Sequence, residues 1–110
     1  MSAVLDRIVD VSEFDRYESE RVKALQSLIG VLKQFPREAE RSDFCGLFNQ
    51  AQKVLELDDS DLAGILRVSR PTIGRWARGD SAPHPIARDA VLKTFVDLAD
   101  KKLKRHPRQA

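Results

Sequence analysis

The chain has 110 residues, 42% of them hydrophobic and 33% charged, a size that fits one compact domain. Its single cysteine, Cys45, excludes an internal disulfide, and the longest apolar run, Leu28–Leu32, is far shorter than the roughly 20 residues that span a bilayer. The first residues have neither the basic nor the long apolar segment of a secretory signal, so we expect a cytoplasmic protein without a membrane partner.

The net charge of +2 is distributed unevenly along the chain. Only two segments have a net positive charge, residues 59–79 with +2 and residues 101–110 with +5, whereas the other segments have a net negative charge. Such a local basic footprint is what contact with DNA phosphates requires. A solvated tail explains residues 101–110 equally well, so the sequence leaves open whether the tail contacts DNA.

Helical periodicity dominates the N-terminal third, and the alternation typical of strands is absent. We predict one amphipathic helix over residues 12–35, with Ser12 as its N-cap and Phe35 as its last residue because Pro36 follows. The apolar stripe of this helix consists of Phe14, Tyr17, Val22, Leu25, Leu28, Ile29, Leu32 and Phe35.

Two further helices are predicted before residue 67. Ser42 is expected to cap the first of them. Its apolar residues recur at intervals of three and four: Phe44, Leu47, Phe48, Ala51, Val54 and Leu55. Asp58 and Asp61 have the spacing that caps the start of the second, which ends near Leu66.

A tight connection over residues 67–69 leads to a short basic helix. Ser69 is expected to cap it by accepting a hydrogen bond from the Thr72 N–H, and Gly79 supplies the left-handed residue that stops it after Arg78. Pro85 then opens a last helix that reaches roughly Lys102.

The basic helix has two different faces on a helical wheel. Ile73 and Trp76 form an apolar face, expected to pack against Leu62, Ala63 and Leu66 of the preceding helix. The opposite face carries Arg70, Pro71, Gly74, Arg75 and Arg78.

Arginine suits a DNA-facing position because it can donate two parallel hydrogen bonds to guanine or bind phosphate. Gly74, without a side chain, would let the backbone approach the bases. A merely solvated arginine face and a neutral surface glycine are the alternatives. Two short helices joined by a tight turn, the second of them basic, are typical of the helix-turn-helix arrangement.

Between Asp58 and Gly79 the sequence resembles the Xre family of lambda-repressor and Cro-type helix-turn-helix domains. The resemblance lies in Leu62-Ala63, Leu66, Val68-Ser69-Arg70, Pro71-Thr72-Ile73, Arg75-Trp76 and Gly79, and extends over about Asp43–Ala99. It implies a five-helix bundle that regulates transcription and binds operators as a dimer. It also implies that Arg70, Pro71 and Arg75 reach base edges.

We add Gly74 to the expected base-contacting residues, and we expect the phosphate contacts to come from Arg67, Ser69, Thr72 and Arg78. The sequence departs from the family at two positions. Arg67 replaces the usual turn glycine, and must either adopt a left-handed conformation at a cost of about 1 kcal/mol or alter the turn. Asp59 stands where a neutral residue is usual, so Asp58, Asp59 and Asp61 should repel phosphate there.

The chain is therefore expected to be all-α, a lambda-repressor-like bundle with an additional N-terminal amphipathic helix. Residues 1–41 form the extension, 42–103 the DNA-binding domain and 104–110 a basic tail. The last helix has two apolar stripes, Ala87, Val91, Phe95 and Leu98 beside Leu92, Val96, Ala99 and Leu103. This width predicts a second neighbour, either the N-terminal helix or a second subunit.

The expected function is sequence-specific recognition of double-stranded DNA by a dimeric transcriptional regulator, more readily a repressor because the chain is too short for a separate effector domain. A palindromic operator would match a homodimer. The alternative is an antitoxin or antiactivator that binds a protein partner through its N-terminal or C-terminal helix, with weak or autoregulatory DNA binding. No enzyme, cofactor or metal site is expected, because the two histidines, His84 and His106, stand beside prolines without a nucleophile or metal-ligand spacing.

Overall fold

A computed structural model describes residues 19–36 and 39–105 of the chain. Within these ranges there are five helices and no strand, so the all-α expectation is confirmed. The helices are α1 (19–34), α2 (Arg41–Leu55), α3 (Asp59–Leu66), α4 (Arg70–Arg78) and α5 (Pro85–Lys104). None of the described helices has the length and apolar character needed to cross a membrane.

Helix α1 ends one residue earlier than predicted. Its described part runs from 19 to 34, and Phe35 is not helical. The steric demand of Pro36 on the preceding residue accounts for this, since that residue is pushed out of the α region. The predicted cap, Ser12, and the stripe residues Phe14 and Tyr17 lie outside the described residues.

Helix α2 begins before its predicted cap, so the assignment of Ser42 as N-cap is wrong. Glu40 holds the extended backbone of the cap position, and its carbonyl accepts the hydrogen bond from Phe44 N–H at 3.1 Å. No side chain caps this helix. Its first three residues are exposed and burial begins at Phe44, so the helix extends one turn ahead of its buried stripe without a capping hydroxyl.

Helix α3 has the predicted start. Asp61 N–H donates to Asp58 Oδ1 at 2.7 Å, while Asp58 N–H donates to Asp61 Oδ2 at 3.1 Å. This reciprocal capping satisfies two backbone donors that the first turn would leave unpaired. Arg67 follows the helix with φ of 58°. Of the two alternatives that the sequence left open, a left-handed residue or an altered turn, the structure therefore has the left-handed residue.

Helix α4 also begins and ends as predicted. Thr72 N–H donates to Ser69 Oγ at 3.2 Å, and Gly79 adopts φ of 80° after Arg78. Helix α5 extends two residues beyond its predicted end at Lys102. It is capped by His84, whose Nδ1 accepts from Ile86 N–H at 3.2 Å.

One hydrophobic core joins all five helices. Leu25, Leu28 and Leu32 of α1 belong to the same buried cluster as Phe44 and Phe48 of α2 and as Leu62, Ile73, Trp76 and Phe95 of the other helices. Leu32 of α1 lines one depression together with Leu92 and Val96 of α5, so the wide stripe of α5 has α1 of the same chain as a neighbour. Ala87 is exposed, so its predicted place in the stripe is wrong, whereas Val91, Leu92, Phe95 and Ala99 are buried.

A buried arginine connects the segment that precedes α5 with the segment that precedes α2. Arg88 donates from Nε to the Pro83 carbonyl at 3.1 Å and from Nη1 to the Ala39 carbonyl at 2.7 Å. Its guanidinium also lies 5.7 Å from the centre of the Phe44 ring. These contacts hold the loop after α4 close to the chain before α2.

Candidate nucleic-acid interface

Helix α4 has a buried apolar face and an exposed cationic face. Ile73 is completely buried and Trp76 is 8% exposed, as the helical wheel predicts. Arg70, Arg75 and Arg78 are all exposed. The helix therefore presents its arginines to solvent while its other side is fixed in the core.

The buried face of α4 contacts more than the predicted helix. It packs against α3, where Leu62 is fully buried and Ala63 and Leu66 are partly buried at the core. In addition, the Trp76 ring meets Phe44 and Phe48 of α2 edge to face, with centroids 6.3 and 5.8 Å apart. Sequence analysis missed this aromatic contact, because the four-residue spacing of the two phenylalanines places both on one face of α2 but does not say which helix that face meets.

The C-terminal end of α4 is also bound to α2. The Ala77 carbonyl accepts a hydrogen bond from Asn49 Nδ2 at 2.8 Å and another from Cys45 Sγ at 3.2 Å. A Cβ added to Gly79 would lie 3.4 Å from the Cys45 sulfur, so the end of α4 and helix α2 approach each other closely there. These contacts fix both the tilt and the rotation of α4, and no motif in the sequence indicated them.

Polar side chains form a connected row at the start of α4. Ser69 Oγ lies 2.8 Å from Thr72 Oγ1, and Arg75 Nη2 donates to the same Thr72 oxygen at 3.1 Å. The structure thus brings together two predicted phosphate contacts and one predicted base contact. Arg75 is oriented towards the N-terminal end of the helix by this hydrogen bond.

Arg78 lies across the surface beside Gly74. A Cβ at Gly74 would be 3.1 Å from Arg78 Nη1, so the arginine covers the open backbone expected there. Arg78 Nε also lies 3.0 Å from Asp80 Oδ2 in an ion pair. Gly74 is thus partly exposed, with the Arg78 side chain over part of its surface.

The remaining predicted site residues lie at the N-terminal edge of the same surface. Arg67, Arg70 and Pro71 are exposed. Among the described residues none forms a hydrogen bond or ion pair with the guanidinium of Arg67 or Arg70. Both guanidiniums are therefore available to an anionic ligand.

The acidic first turn of α3 has structural partners. Asp58 and Asp61 cap each other's backbone, and Asp59 Oδ1 accepts from Gln52 Nε2 of α2 at 2.8 Å. The Gln52 amide satisfies one acceptor site of the Asp59 carboxylate, but the carboxylate keeps its negative charge. Each of the three carboxylates therefore has a structural role: two of them stabilise the start of α3, and the third connects α3 to α2.

The histidines and acidic residues do not gather into a metal site in the part of the chain that the structure describes. No group of three or more His, Cys, Asp or Glu side chains is placed there to hold an ion. His84 serves as the cap of α5. His106 and the rest of 106–110 lie outside the described residues, whereas Lys101, Lys102 and Lys104 form a basic last turn of α5.

No model of a protein family, no curated protein and no solved structure matches the chain significantly.

Proposed function

We propose that this chain is a sequence-specific, double-stranded DNA-binding regulator of transcription that inserts α4 into the major groove. The observation that carries the proposal is the division of α4 into a face held in the core and a face of exposed arginines. A DNA-reading helix needs both, because its side chains must be positioned rigidly and must still reach the base edges.

The connection between α3 and α4 supports the proposal. Residues 67–69 join the two helices, which pack directly against each other. We interpret this pair as a helix-turn-helix, in line with the resemblance to the Xre family. In that arrangement the first helix lies across the DNA backbone and the second helix enters the major groove.

The proposed contacts fall into two groups. Arg70 and Arg75 are the long donors for base edges, with Pro71 and Gly74 allowing close approach of the helix. The phosphate contacts come from Arg67, Ser69, Thr72 and Arg78. The bidentate geometry of arginine gives guanine as the preferred base, and the phosphate contacts hold the helix in register.

We further propose that the regulator acts as a homodimer on a palindromic operator and represses transcription. The support is symmetry, because a twofold operator presents two equivalent half-sites to two copies of α4. The apolar width of α5 no longer requires a partner copy, since α1 of the same chain shares its core. The mass of the complex with one operator duplex, measured by light scattering, tests the two-copy stoichiometry.

The decisive test compares binding of the chain to DNA upstream of its own coding sequence with binding to a random duplex, at two salt concentrations. We expect tight, salt-sensitive binding to the former, and Arg75→Ala should weaken it by about 1–3 kcal/mol and relax the preference at one base pair. Lys93→Ala is the control, because Lys93 is exposed on α5, beside α1, and carries the same charge.

Equal and weak binding to both duplexes would contradict sequence-specific recognition. It would favour the second function that the sequence allows, an antitoxin or antiactivator that binds a protein partner through a terminal helix. An Arg75→Ala loss no larger than that of Lys93→Ala would contradict the assignment of Arg75 to a base edge.

A further inference from the structure

Asp80 contacts arginines from two different helices at the end of α4. Its Oδ2 lies 3.0 Å from Arg78 Nε, and its carbonyl accepts a hydrogen bond from Arg41 Nη1 at 3.1 Å. The N–H of Asp80 donates to the Arg75 carbonyl at 2.9 Å. The backbone of Asp80 is thus fixed by the last turn of α4, and its carboxylate is placed beside the cationic face.

The ion pair between Arg78 and Asp80 is exposed. The two side chains are 64% and 58% accessible, so water and salt weaken the attraction between them. A carboxylate and a phosphate present similar oxygen pairs to a guanidinium. A DNA phosphate can therefore replace Asp80 at Arg78, but it must first break the existing pair.

The position of Arg78 shows what this pairing does to the surface. Held by Asp80, its guanidinium lies over Gly74, 3.1 Å from where a Cβ would be. Arg41, Ser42, Cys45 and Gly79 line the adjacent depression together with Glu40 and Arg78. Glu40 at this depression is acidic as well, but the carboxylate that pairs with Arg78 is that of Asp80.

We propose that Asp80 acts as an internal competitor of DNA phosphate for Arg78 and so lowers the affinity of the chain for duplexes of any sequence. This inference rests on the proposed DNA-binding function and adds a regulatory residue to it. The competition is general because phosphate contacts carry no sequence information. Since an exposed pair is weak, Asp80 limits binding without preventing it.

The test is a double-mutant cycle on the full chain with Asp80→Asn, Arg78→Gln and the combined variant, titrated with a random duplex at several salt concentrations. Asp80→Asn should bind about two- to fivefold more tightly, the effect of losing one exposed ion pair. The slope of log K against log salt should steepen by as much as about 0.9, the value for one phosphate contact, because Arg78 no longer gives up a carboxylate when it binds phosphate.

The Arg78→Gln background separates this competition from a general effect of charge. There, Asp80→Asn should change affinity no more than Asp100→Asn, a control on the exposed side of α5. An equal gain with and without Arg78, or no gain in the wild-type background, would overturn the inference while leaving DNA binding intact. Absence of binding by every variant, each folded as judged by circular dichroism, would instead overturn the proposed function and the inference with it.

Discussion

Arg67 occupies a backbone conformation that normally belongs to glycine. Its φ of 58° is shared by only one other described residue that is not a glycine, Glu56, with φ of 57°. Each of them ends a helix, and each backbone N–H closes the last turn by donating to a carbonyl of that helix. The left-handed position is a common way to end a helix, but a side chain there costs about 1 kcal/mol.

Replacing Arg67 should therefore have opposite effects on stability and on DNA binding. Arg67→Gly is expected to raise the free energy of unfolding by about 0.5–1 kcal/mol, because glycine adopts this φ without strain. Urea denaturation measures the change. Arg67→Ala is the matched control, since it removes the same charge but keeps the strain.

Both Arg67 variants should bind DNA more weakly than the wild type, if Arg67 contacts a phosphate. Unchanged affinity of either variant would remove Arg67 from the proposed interface. A loss of stability in Arg67→Gly would show that the arginine side chain contributes packing that outweighs the backbone strain.

At the scale of elements, the position of α4 depends on α2 as much as on α3. Asn49 and Cys45 bind the carbonyl of Ala77, and Trp76 packs edge-on against two phenylalanines of α2. The helix that carries the arginines is thus held at its end and along its length. An element positioned in this way keeps its exposed side chains in a constant orientation, as recognition of base edges requires.

Asn49→Ala tests the contact at the end of α4. It should lower the free energy of unfolding by about 1 kcal/mol, the usual contribution of one hydrogen bond, because Cys45 still binds the Ala77 carbonyl. It should also reduce the preference for the upstream duplex over a random one, since a less firmly held α4 aligns its arginines less well. Gln50→Ala, at the next position of α2 and also exposed, is the control for both measurements.

At the scale of the whole molecule, α1 is part of the core. Leu25 and Leu28 are at most 1% exposed, and both belong to the cluster that includes Trp76 and Phe95. An ion pair of 2.9 Å between Arg21 and Glu56 adds a contact between α1 and the end of α2. The described part of the N-terminal region therefore stabilises the helices that carry the candidate interface.

Leu28→Ala should lower the free energy of unfolding by about 2–5 kcal/mol, the range for a fully buried leucine, and the unfolding should remain a single transition. Chemical denaturation followed by both circular dichroism and Trp76 fluorescence checks both expectations. Ile86→Ala is the control, because Ile86 is 74% exposed and its loss should change stability by less than about 0.5 kcal/mol. Separate transitions by the two probes would show that α1 unfolds independently of the rest.

The sequence alone was sufficient for the local features of this chain. The caps at Asp58 and Ser69, the stop at Gly79 and the two faces of α4 are confirmed, because each depends on residues within a few positions of one another. The start of α2 was predicted wrongly for a related reason. A local rule selected Ser42, whereas the helix begins at Arg41 after Glu40, whose side chain forms no cap hydrogen bond.

Only the tertiary structure decided how distant segments meet. Three contacts join residues that are 28 to 49 positions apart: the hydrogen bond of Asn49 to Ala77, the packing of Trp76 on α2 and the hydrogen bond of Arg88 to Ala39. Periodicity assigns a residue to a face but does not say which other face it meets, since many pairings bury a similar apolar area. The choice among them comes from the packing of all five helices together, and that packing brings Arg41 to the carbonyl of Asp80.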